Sequence, residues 1–403
     1  RPTDTLSSDD TTLAIYTAES VNGQVVNVLA ESFEPNATAT EWTIRVRKGV
    51  IFHNGKEMKA QDVAFTLRRI ADPKNPFQGA TGLKPIDLDN IAIVDDYTLK
   101  VPCKTPFAIF PEILSSSCWY GIVPAGYDPK APVGTGAFKY QSFTPGQQSV
   151  FVRHENYWQS GLPYLDTLTI IDSFQNDTAA YNALQGGEID AYAYATLSLA
   201  AGVTEGSGFK SLRSKAGDYT PIFMNTKIAP FDDNNVRQAL RLLIDRKQII
   251  DQTLSGFAEI GNDVFGWWDP AFDKSLIRTR DVDKAKFLLN KAGHSNLSLE
   301  FSAVDLVSTN IPQAQVFAQQ VADGGVTVTV KQIPVDTFYA QYGKWPLCND
   351  SWIYFTYLSN VAFGTLPTYP FNGTQWNHPQ YNKLYDQAVS TVDAAKRAQI
   401  IHE

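Results

Sequence analysis

The stretch PQAQVFAQQVADGGVTVTV, residues 312–330, changes its hydrophobic period midway. Pro312 suits the first turn of a helix, where its missing N–H has no partner to lose. Ala314, Phe317, Ala318 and Val321 then fall on one helical face. Gly324-Gly325 supplies the stop, and Val326, Val328 and Val330 alternate with threonines as in a half-buried strand. Helix, glycine stop and strand in immediate succession are the grammar of an α/β fold.

The flanking sequence repeats the pattern. A helix is expected from Asp283 to Ala292, ended by Gly293. The strongest helical stripe runs over 236–254, with Val236, Ala239, Leu240, Leu243, Ile244 and Ile250 near one face. Asp232 and Asp233 stand where a cap and a dipole partner belong. Nearer the start, Thr43–Arg47 alternates into Lys48-Gly49, and Asn54-Gly55 marks a tight turn before a helix over Gln61–Ile70. Ile91–Val94 and Thr98–Val101 read as a hairpin about Asp95-Asp96. Strands are expected at Ser149–Arg153 and Thr167–Asp172 and a helix at Thr178–Leu184. The glycines and prolines of 125–136 suggest a domain crossing. The chain ends in a helical pattern, Asp393 to Glu403.

Composition narrows the class. The 403 residues carry 34 Lys+Arg against 42 Asp+Glu, a net charge of −8, which speaks against a nucleic-acid partner. No window approaches the roughly 18 uncharged apolar residues of a membrane span. The excess lies in rings, with 8 Trp, 18 Tyr and 23 Phe. Cys103, Cys118 and Cys348 match no zinc ligand set and no redox motif. One bridge between Cys103 and Cys118 and three reduced thiols remain alternative readings. The chain begins at Arg1 without a methionine, as a trimmed sequence would.

Catalytic chemistry has no local signature. His53, His154, His294, His378 and His402 are scattered and read as loop or surface residues. No serine elbow occurs. Gly134-Thr135-Gly136 leads into a strand, not a helix, so it fails as a dinucleotide loop. Asp95/Asp96 and Asp232/Asp233 sit at turns and a helix start, where solvation and capping account for them. The reading is therefore non-enzymatic, with no cofactor and no metal.

Five blocks in register carry a resemblance. The first runs from Leu29-Ala30-Glu31-Ser32-Phe33 through Trp42 and Arg45 to Phe52-His53-Asn54-Gly55, closing at Ala60-Gln61-Asp62-Val63. The second joins Gly134-Thr135-Gly136 to Asn156-Tyr157-Trp158 and Pro163-Tyr164-Leu165-Asp166. The third is Leu184-Gln185-Gly186-Gly187-Glu188-Ile189-Asp190. The fourth spans Met224-Asn225-Thr226 and Pro230-Phe231-Asp232-Asp233 to Arg237-Gln238-Ala239-Leu240, and the fifth is Lys284 to Gly293. Together they resemble the family-5 extracellular solute-binding proteins, the peptide and nickel receptors of ABC importers.

That resemblance implies an α/β, two-lobed, hinged periplasmic-binding-protein-like fold of the large peptide-binding class, with an extra subdomain. Residues 1–27 would begin lobe I, 28–132 form the extra subdomain, 133–228 continue lobe I, and 229–403 make lobe II. It implies further sequence at both ends, and gaps near Ser7–Thr12 are expected. The partners implied are a small-molecule or peptide ligand and a membrane permease. The protein would be a monomer, periplasmic or extracellular, with a lipid anchor as one way of holding it there.

In peptide-binding relatives a strand-end Trp is followed three residues later by an Asp that holds the peptide amino terminus. Here Trp352 is in place and Phe355 occupies the Asp position, which disfavours ordinary peptides, because a buried ammonium needs a charge partner or an aromatic cage. A small to medium ligand with an apolar or aromatic face fits better, a modified peptide among them. Strand alternation over 351–357 would place Trp352 and Tyr354 on one face and Phe355 on the other. The candidate ligand-binding residues are Trp352, Tyr354, Phe355, Trp267, Trp268 and Tyr120. Trp42, Tyr157 and Trp158 read as fold residues, and Trp376 is evenly divided. A ligand sensor feeding a signalling partner and a secreted carbohydrate-active enzyme are the alternatives.

Overall fold

The computed structural model describes residues 18–21, 24–74, 77–115, 118–193, 195–204, 207–212, 217–367, 369 and 371–403. The gaps expected near Ser7–Thr12 and the side chain of Cys118 lie outside the described residues. The chain divides into two compact units, Arg1–Gln175 with Asp269–Ala271 and Lys383–Glu403, and Asn176–Trp268 with Phe272–Asn382. The Gly- and Pro-rich stretch 125–136 lies within the first.

Among the described residues the first unit holds three antiparallel sheets. β1 (Ala18–Val21) pairs with β2 (Gln24–Asn27). β3 (Ala30–Pro35), β4 (Glu41–Val46), β5 (Ala92–Asp95) and β6 (Thr98–Pro102) form a sheet in the order β3-β4-β6-β5. β7 (Phe138–Thr144), β8 (Gln148–Arg153) and β9 (Thr167–Ile171) form a meander. Helix Ala60–Ile70 buries Val63, Ala64, Leu67 and Ile70. Its Asp62 is fully buried and accepts from Lys56 Nζ and from the backbone N–H groups of Lys59 and Ala125. A paired, hydrogen-bonded carboxylate is the form in which a buried charge is tolerated. Trp42 is also buried, its indole donating to the Phe107 carbonyl at 2.9 Å.

The second unit is organised on one mixed sheet. β10 (Ile222–Met224), β11 (Leu297–Val304), β12 (Val326–Ile333) and β13 (Leu347–Asn349) lie in the order β10-β13-β11-β12. β11 and β12 are parallel, joined through helix Asn310–Ala322, so residues 312–330 complete a β-α-β unit as their change of period predicts. Phe301, Phe317, Val321, Leu240, Leu243 and Leu289 share its core. Full burial of one such side chain contributes about 1.5–3 kcal/mol.

Two expectations are corrected. The helix over 236–254 is two helices, Asn234–Leu243 and Arg246–Thr253. Asp245 breaks it by capping the second: its carboxylate accepts from Gln248 N, while its own N–H donates to Gln320 Oε1. Residues 351–357 are not a strand. β13 ends at Asn349, Trp352 makes one isolated bridge to Tyr219, and a helix begins at Tyr357. Asp350 causes the break by folding its carboxylate back onto Ser351 N. His154 lies in the loop after β8, within the expectation of a loop or surface residue, and is buried there at 3% exposure. Cys103 and Cys348 are free thiols. No described helix is long and apolar enough to cross a membrane.

Candidate functional site

Two of the resembling blocks meet around a histidine. His53 Nε2–H donates to the Gly136 carbonyl at 2.9 Å, and Gly134 N–H donates to His53 Nδ1 at 3.2 Å. His154 lies edge-on, with ring centroids 5.0 Å apart, and donates through Nε2 to the Ile51 carbonyl. One acceptor and one donor nitrogen make His53 neutral. Burial lowers its pKa to about 4, against the pull of the Gly136 hydrogen bond. These contacts hold the chain together and engage both nitrogens of His53 and Nε2 of His154.

The second unit holds the rings. Beyond β10 and β13 the two chains pair once more, Tyr219 and Trp352 exchanging backbone hydrogen bonds of 3.0 and 2.9 Å. Their rings stack at 6.3 Å and 24°, Tyr219 stacks on Phe265 at 6.1 Å, and Phe265 on Tyr357 at 5.1 Å. Trp352 also meets Phe355 and Phe371 edge to face, the favoured geometry for ring quadrupoles. The Trp352 indole donates to Asp350 Oδ2 at 2.9 Å, as does the Tyr342 hydroxyl at 2.6 Å. Burial pushes the Asp350 carboxyl above the usual range, and its three donors pull the other way. Sequence reasoning passed over Asp350, whose partners include Tyr342 but no regular motif.

The column is sealed at its other side by Asn360. Its Oδ1 accepts the Tyr219 hydroxyl at 2.9 Å, while its buried Nδ2 has no partner among the described residues.

Beside the column lies a second pair of rings. Trp268 and Tyr354 are both half-buried, their centroids 5.3 Å apart with planes inclined by 39°. Tyr354 N–H donates to Asp218 Oδ1 at 2.9 Å. Gly217 packs so closely that a Cβ there would stand 2.0 Å from the Trp268 indole. Asp218 reaches solvent, yet its protein flank withdraws enough water to raise its pKa.

The structure thus brings Trp268 to Tyr354, and Trp352 to Phe355. Phe355 is 2% exposed and packs on Phe363. Trp267 is half-buried under the Lys274 ammonium, 4.7 Å from its ring centre. Tyr120 belongs to the first unit, 1% exposed, with its hydroxyl donating to the Gly79 carbonyl. Trp158 carries the Arg47 guanidinium at 4.8 Å, and Trp376 stacks on His378. Among the described residues no group of three or more His, Cys, Asp or Glu could hold a metal ion. Ring faces and an open carboxylate suit recognition without covalent chemistry.

This fold is that of the two-lobed periplasmic binding proteins. A structure of AgaA from A. tumefaciens R10 in complex with agropinic acid superposes with a TM-score of 0.81 at 25% identity, over 98% of this chain and 83% of that one. DppA from Helicobacter pylori, in complex with the peptide STSA, gives 0.82 at 21% identity, over 98% and 87%. Residues 24–374 match the bacterial extracellular solute-binding proteins, family 5 Middle, and the chain belongs to that family. The glutathione-binding protein GsiB of Pectobacterium atrosepticum is 30% identical over 93% of this chain and 76% of its own length. The heme-binding protein A of Haemophilus influenzae is 29% identical over 78% of this chain, which spans 62% of that relative.

Proposed function

We propose that the chain is the solute receptor of an ABC importer, working outside the cytoplasmic membrane as a monomer and leaving its cargo chemically unchanged. The cargo is small to medium in size and presents an apolar or aromatic face. The observation that carries this reading is the half-buried Trp268–Tyr354 pair, backed by the stacked column of Tyr219 and Trp352. Rigid rings provide contact area at low entropic cost. Trp268 and Tyr354 meet the ligand, Trp352 supports them, and the buried Phe355 and Tyr120 serve packing. Family membership supports the class. The relatives' names span glutathione and heme, and solved neighbours hold agropinic acid, peptides and a nickel–histidine complex, so the cargo must be read from this chain's own residues.

A thermal-shift panel of peptides, amines, opines and glycans tests the proposal, because a solute that binds only the native state raises its apparent stability. One class should raise Tm saturably and be recovered intact. No shift with any class, or turnover of a solute, would contradict it.

A further inference from the structure

Asp218 is an exposed carboxylate that follows the glycine packed on Trp268 and accepts from the Tyr354 backbone, and among the described residues no cation pairs with it. Its Oδ1 takes the Tyr354 N–H, while its Oδ2 has no hydrogen-bond partner and no Lys, Arg or His pairs with it among the described residues. The other carboxylate of the cluster, Asp350, is 3% exposed and already committed to Ser351, Tyr342 and Trp352. Trp268 and Tyr354 stand next to Asp218, through Gly217 on one side and the Tyr354 backbone on the other. An unpaired carboxylate attracts an opposite charge, and ring faces attract a cation by their quadrupole.

We infer that Asp218, with the rings of Trp268 and Tyr354, forms a subsite for a cationic nitrogen group of the solute, a protonated amine or a guanidinium. The inference rests on the receptor reading and sharpens it: a ligand with an apolar face also carries one positive charge. Asp218 supplies the charge partner that Phe355 cannot, from another segment of the chain. Gly217 is the steric condition, since any side chain there would push Trp268 out of position.

The test measures binding of phenylalaninamide and agmatine, one an amine and the other a guanidinium, against neutral N-acetylphenylalaninamide. Wild type should bind at least one cationic probe tenfold or more tighter than the neutral one. Asp218→Asn keeps an acceptor for Tyr354 N–H and should abolish that preference, bringing the cationic probes to within about twofold of the neutral one. Gly217→Ala keeps the carboxylate and should cut the cationic preference several-fold, which covers the case in which Asp218→Asn fails to fold. No cationic preference in wild type, a preference that survives both substitutions, or no binding of either cationic probe would overturn the subsite. Failure of the receptor reading looks different, as no solute class would then raise Tm.

Discussion

Asp350 accepts the Trp352 indole and the Tyr342 hydroxyl on one oxygen, and the Ser351 N–H on the other. A buried carboxylate with three donors fixes where the chain leaves β13 and how Trp352 presents its face. Asp350→Ala strands those donors. Each buried unsatisfied group costs about 1–3 kcal/mol, so the substitution should lower stability by roughly 3 kcal/mol. Urea unfolding should show a reduced midpoint with an unchanged slope.

Gly364 ends the helix Tyr357–Gly364 against the same ring. A Cβ there would lie 2.5 Å from Trp352 Cη2. Gly364→Ala should cost about 1–3 kcal/mol, the usual penalty of overpacking. Near-UV circular dichroism should report a displaced tryptophan.

His53 makes the first unit acid-sensitive. Burial holds it near pKa 4, below the ordinary 6.5, and lowers the His154 pKa as well. Between these values the unfolded chain binds the proton that the folded chain refuses. Stability is therefore full above about pH 6.5 and declines as pH falls toward 4, by on the order of 3 kcal/mol from His53 alone. His53→Gln should flatten Tm against pH across that window. An unchanged slope would contradict the assignment.

The β-α-β unit at 297–333 was legible because its signals are local: a period, a glycine and a second period within one short run. The break at Asp245 is also a local signal, an Asp three residues before Gln248, but the apolar stripe continues across it and masks it. The end of β13 was not legible. Trp352, Tyr354 and Thr356 alternate as strand residues do, and only the buried Asp350 and its Tyr342 partner show why the chain turns instead. Asp218 was hidden for the same reason, since its partner Tyr354 lies 136 positions away. Trp268 and Tyr354 could each be named from sequence, while their contact depends on Gly217 giving way.

Asp263 gathers Arg241 and Arg246 in a network partly shielded from solvent. Asp263→Ala should destabilise the second unit by about 1 kcal/mol, above the value of an exposed pair. Hydrogen exchange should loosen first in helix Arg246–Thr253, with the rings around Trp352 unaffected.

The central claim, that this chain holds a solute noncovalently, is tested most directly by native mass spectrometry of the protein as purified and after incubation with the solute panel. The account predicts a one-to-one adduct that departs intact on denaturation and is lost when Trp268 and Tyr354 are both replaced by Ala. A bare protein mass under every condition, or an adduct indifferent to that double substitution, would contradict it.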